Sequence, residues 1–82
     1  MEPLDGNAIG GLLHEVFGAE MTTVKAVCAH CGDVAQMAEL VVYLEAPGTV
    51  VRCRNCGNVV IVILAAKGVN CVDLRGLAAL DL

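Results

Sequence analysis

Cys28-Ala29-His30-Cys31-Gly32 and Cys53-Arg54-Asn55-Cys56-Gly57 are two copies of one pattern, Cys-x-x-Cys-Gly, with 21 residues between Cys31 and Cys53. Two residues between cysteines let both thiolates face one point from a tight turn. Two such turns brought together offer four sulfurs at the corners of a tetrahedron. A glycine after the second cysteine permits positive φ, so successive backbone N–H groups can turn towards the thiolates. Cys28, Cys31, Cys53 and Cys56 are therefore read as the ligands of one metal ion. Zn²⁺ is the expected ion, with iron as the alternative, because a tetrahedral sulfur site suits both. Four protein ligands close the shell and leave no position for water or substrate, so the expected site is structural and the chain is expected not to be an enzyme.

Outward from these turns the pattern is β. Thr22, Val24, Ala26 and Cys28 share one face of a strand leading into the first turn. Val34 to Glu45 reads as one long strand or two shorter ones, and Ala46-Pro47-Gly48-Thr49 has Pro and Gly at the centre of a type II turn. Thr49 to Cys53 returns to the second turn. Asn58 to Ala66 is a β-branched strand, joined by a Lys67-Gly68 hairpin to Val69–Leu74. Val59-Val60-Ile61-Val62-Ile63-Leu64 has no alternation, so both of its faces are expected to be buried. The cover for the second face is either the C-terminal Leu77, Leu80 and Leu82 or a second subunit.

At the N-terminal side, Ile9, Leu12, Leu13, Val16 and Phe17 fall on one face of a helix over 5–17. Asp5 or Asn7 is the candidate N-cap and Gly18 the left-handed C-terminal stop. Gly10 and Gly11 weaken this helix, which is expected to form only when docked, and they would allow close approach to its partner. Residues 76–82 read as an apolar tail, with one helical turn expected. The reading is thus one domain over 1–82: helix 5–17, antiparallel ribbon 22–75, tail 76–82.

Composition limits the function. The chain has 82 residues, is 57% hydrophobic, and carries only Tyr43 and Phe17 as aromatics. Aliphatic side chains must fill a small core, and no platform of aromatics exists to stack bases. Nine acidic residues against five basic give a net charge of −4, the wrong sign for general binding to phosphate backbones. The acidic start Met1-Glu2-Pro3-Leu4-Asp5-Gly6 is unlike a secretory signal, and the longest apolar run, Val59 to Ala66, is far short of the roughly 20 residues a membrane helix needs. A cytoplasmic protein with reduced thiols and no membrane contact is expected.

The paired turns and their hairpins resemble a zinc ribbon, a small, mostly β fold of antiparallel strands with two zinc knuckles, here with one N-terminal α-helix packed on the sheet. Over its whole length the chain resembles a family of small, uncharacterised actinobacterial zinc-ribbon proteins. The shared features are Asp5-Gly6-Asn7-Ala8, Gly10-Gly11-Leu12-Leu13, the knuckles, and Val72-Asp73-Leu74-Arg75-Gly76. The resemblance implies the fold and zinc, and no activity. Rubredoxins hold iron between similar loops, but their cores are rich in aromatics and this one is not.

Among the other residues, His30 is read as an exposed knuckle residue, His14 as solvent-facing and Cys71 as a buried small hydrophobe. Lys25, Arg52 and Arg54 cluster around the knuckles. Either they offset the charge of the thiolates or they form a small contact for nucleic acid. Three functional readings follow. The first is a non-catalytic zinc-stabilised interaction module, a homodimer or bound to an unidentified protein partner. The others are a nucleic-acid-binding ribbon and a rubredoxin-like iron electron carrier.

Overall fold

The computed structural model describes residues 4–45, 48–66 and 68–81. The strands are β1 (Leu4–Asp5), β2 (Lys25–Cys28), β3 (Val34–Gln36), β4 (Val41–Glu45), β5 (Gly48–Arg52), β6 (Val59–Ala66), β7 (Val69–Asp73) and β8 (Leu77–Asp81), with the helix α1 (Gly10–Phe17) following β1. They form two antiparallel sheets, one of five strands in the order β1-β4-β5-β6-β7 and one of three in the order β3-β2-β8. The architecture is mostly antiparallel β with one N-terminal helix packed on the sheet.

The helical segment starts as a 3-10 turn over Gly6–Ile9, capped by the Asp5 carboxylate, which accepts from the Asn7 N–H at 3.1 Å. Only from Gly10 does it become α-helical, which corrects the expectation of a continuous helix from residue 5. Gly18 ends it at φ 73°, donating its N–H to the His14 carbonyl at 2.7 Å. Ile9 and Leu13 are buried, with Leu12, Val16 and Phe17 partly buried beside them, so the apolar stripe faces the core. His14 is exposed.

Val34 to Glu45 is two strands, because Met37–Glu39 forms a 3-10 turn between them. The Gln36 N–H donates to the Glu39 carboxylate at 2.9 Å, and Met37 and Ala38 donate to the carbonyls of Val24 and Thr22. Those bonds occupy the groups that would have continued the strand. Of the expected type II turn, Ala46 and Pro47 lie outside the described residues, as do Lys67 of the second hairpin and Leu82.

Register explains the core. Val42, Val51 and Ile61 lie side by side across β4, β5 and β6, each at most 1% exposed. The same cluster takes Ala26 and Cys28 from β2, Ala35 from β3, and Leu13, Met21, Met37 and Leu40. At the knuckle end a bulge sets Arg52 opposite Val59 and Val51 opposite Ile61, leaving Val60 as an extra residue, also buried.

Two expectations are corrected here. Residues 77–81 are strand β8, paired with β2, in place of a helical turn. The edge of β2 needed a partner, and pairing leaves Leu77 and Leu80 half-buried against the core. Consequently those leucines do not cover the second face of β6. Ile61 and Ile63 are buried on the inner face, but Val62 is only half-buried and Leu64 is 46% exposed. No helix among the described residues is long and apolar enough to cross a membrane.

Candidate metal centre

Each sheet contributes one cysteine turn. The first links β2 to β3 and the second links β5 to β6, and they share one backbone design. Cys28 donates its N–H to the Asp33 carbonyl at 3.0 Å, and Gly32 donates to the Cys28 carbonyl at 2.9 Å. In the second turn Cys53 donates to Asn58 at 2.9 Å and Gly57 to Cys53 at 3.1 Å. Gly32 and Gly57 adopt φ 76° and 78°, the left-handed region that a side chain would strain. At these two positions the glycine of the motif is a backbone requirement.

Two turns of one design, approaching from two sheets, bring Cys28, Cys31, Cys53 and Cys56 together with every sulfur within 4.8 Å of the others. The pairs that cross between the turns are 3.7 Å (Cys28 to Cys56) and 3.6 Å (Cys31 to Cys53). A disulfide requires about 2.05 Å, so these are not bonded pairs. Sulfurs about 2.3 Å from a shared tetrahedral centre lie about 3.8 Å apart, close to both crossing distances. The four cysteines can hold a metal ion.

The surroundings suit thiolates. Backbone N–H groups of His30 and Asn55 point at the sulfurs of Cys28 and Cys53, at 3.4 and 3.3 Å. Side-chain amides of Asn55 and Asn58 donate to Cys31 and Cys56, at 3.6 and 3.3 Å. Backbone and side-chain N–H groups of Asn58 bring the Cys56 thiol down to about 6, and the Asp33 backbone N–H lowers that of Cys31. Burial pushes Cys53 up to about 11. Both asparagines sit in or beside the second turn, and their role was missed in the sequence. The signal was there in their type, because Asn carries the amide donor that a thiolate accepts.

These opposite shifts define a pH dependence. Cys56, held at about 6, is already an anion at neutral pH, whereas the buried Cys53 thiol gives up its proton only as a cation arrives. Metal binding at about pH 7.5 is therefore expected to release fewer than four protons, because Cys56 contributes almost none. Affinity should fall as pH drops through about 6, where Cys56 also takes up a proton. Calorimetric titration in two buffers of different ionisation enthalpy measures the proton count.

Of the basic residues, Arg54 bridges the two turns. Its Nε meets Asp33 at 3.1 Å, one terminal nitrogen meets Glu39 at 2.6 Å, and the other donates to the Val34 carbonyl at 3.3 Å. Arg52 donates to the Gly57 carbonyl at 2.9 Å and lies over the Tyr43 ring, 5.7 Å from its centre. Lys25 is exposed on β2. The two arginines thus support the turns from outside. Arg54→Gln should change thermal stability little, since exposed pairs are screened by solvent, and a salt titration of the melt checks this.

His30 is exposed and lines an open cleft with Val60, Asp73, Arg75 and Gly76. Cys71 is exposed on β7, contrary to its expected burial, because the outer face of that edge strand has no layer over it among the described residues. No curated protein and no solved structure matches the chain significantly. A family model does match, over residues 1–82, and the chain belongs to that family, a family of unknown function designated DUF6510.

Proposed function

We propose that this domain is a zinc ribbon, with one Zn²⁺ held by Cys28, Cys31, Cys53 and Cys56, serving as a non-catalytic, self-associating interaction module of the cytoplasm. The observation that carries the reading is the convergence of four sulfurs from two turns of identical backbone design, at tetrahedral spacing across the turns. Zinc supplies charge and cross-linking there and no chemistry on a substrate. Four thiolates around a divalent ion leave a formal charge of about −2, which the side-chain amides of Asn55 and Asn58 help offset. The scarcity of aromatic residues favours zinc over a rubredoxin-like iron site.

The nucleic-acid alternative loses support because Arg52 and Arg54 are engaged with the protein itself. Metal analysis of protein purified without chelator tests the main reading. One zinc per chain and a colourless solution is expected. A red protein with thiolate-to-iron absorption would replace the module by an electron carrier.

A further inference from the structure

Among the described residues the five-stranded sheet ends in strands of unequal length, two residues in β1 against five in β7, and no strand pairs with the outer side of β7. β7 reads Val69-Asn70-Cys71-Val72-Asp73 and has no proline, lysine or bulge of the kind that blocks an open edge. Around it lie large exposed apolar side chains: Val69 at 60%, Leu64 at 46% and Val72 at 36%. β8, another five-residue edge, exposes only Ala78, Ala79 and Asp81.

The polar groups on the free side of β7 follow from the register. Cys53 donates to the Asn58 carbonyl, so its backbone faces β6. Alternation along β5 turns Val51 the same way and makes Val51 and Ile61 a hydrogen-bonded pair. Val62 then faces β7 and its partner Asp73. Along β7, Asp73 and Cys71 bond inwards, while Asn70 and Val72 present N–H and C=O to the free edge. These two outward residues are symmetric about Cys71.

We propose that two copies of this chain pair through β7, antiparallel and two-fold symmetric about Cys71, joining their five-stranded sheets edge to edge. Asn70 of each copy exchanges both backbone hydrogen bonds with Val72 of the other. Cys71 faces Cys71 across the axis as a non-hydrogen-bonded pair, the closer kind. Val69 lies opposite Asp73 of the other copy, so the two Asp73 carboxylates stay at opposite ends.

Charge on this strip does not oppose a second copy. The chain carries −4, which repels like surfaces, but the acid of this strip is neutralised within its own chain by Arg75, 2.7 Å from Asp73. The outer faces add Leu64, Val69 and Cys71 of both copies to one apolar strip. A five-residue edge buries less than the roughly 800 Å² per partner of a standard interface, so dissociation in the micromolar range is expected.

The inference rests on the self-association in the proposed function and names its surface. Sedimentation of the zinc-loaded full chain over about 1–300 µM brackets such an interface. Val72→Pro removes an outward N–H and keeps the inward bonds of its neighbours. Cys71→Lys sets like charges face to face on the axis, and Cys71→Thr does not. The first two are expected to raise the dimer dissociation constant about tenfold or more, and Cys71→Thr to leave it within about threefold. Should Val72→Pro fail to fold, Cys71→Lys against Cys71→Thr carries the test. A zinc-loaded chain that stays monomeric, or a dimer indifferent to the substitutions that fold, overturns the pairing and leaves the metal reading standing.

Discussion

Cys28→Ser or Cys53→Ser is expected to leave the chain largely unfolded, and excess chelator should do the same to the unmodified protein. Among the described residues the largest fully buried side chains are Leu13, Met21, Met37, Ile61, Ile63 and three valines, with no aromatic among them. A core of that size in 82 residues supplies little stability of its own. Structural zinc in small domains contributes roughly 10–16 kcal/mol of apparent binding free energy, against a net stability of about 5–15 kcal/mol for an ordinary domain. Cys28 and Cys53 also belong to the core, at 5% and 3% exposure, so a metal held by them would join the two sheets where they meet. Circular dichroism melts with and without chelator measure the effect, and Cys71→Ser, outside the site, should melt as the unmodified protein does. A cooperative melt that ignores chelator would refute the dependence.

What could be read from residues alone divides along physical lines. The four cysteines, the two glycines at positive φ and the apolar stripe of α1 were legible because each depends on local geometry: a two-residue spacing, a missing Cβ, a period of 3.6. The path of residues 77–81 was not. Leu77-Ala78-Ala79-Leu80 has helical spacing, and only the unpaired edge of β2 decides that it is extended. The run Val59–Leu64 signalled burial on both faces, yet among the described residues nothing covers Leu64, which stays 46% exposed. Arg54 was legible as a cation near the knuckles, but its partners Asp33 and Glu39 are 21 and 15 residues away along the chain.

Glycine shows the same division, and Gly76→Ala is the second large effect expected. In the helix, Gly11 has open space where a Cβ would go, so it is not needed for the close approach expected of the pair, whereas a Cβ at Gly10 would come within 3.3 Å of the Thr22 methyl. Gly11→Ala should therefore stabilise by about 0.5–1 kcal/mol, through helix propensity and a less flexible unfolded chain. Gly76 is different. Its carbonyl accepts from the Ala29 N–H of the first turn at 2.9 Å, while its Cα lies against the backbone of Val59 and Val60 at the β6 bulge. A methyl group there would fall inside the contact shell of the Val59 carbonyl oxygen, and backbone cannot rotate aside as a side chain would. The chain must shift as a whole and pull at the bond that ties the first cysteine turn to the five-stranded sheet. Gly76→Ala is expected to cost about 3 kcal/mol, the upper end for overpacking, and to weaken metal retention with it. Paired chelator-competition and thermal-melt measurements on Gly76→Ala and Gly11→Ala check both signs, and equal behaviour of the two variants would contradict a latch at Gly76.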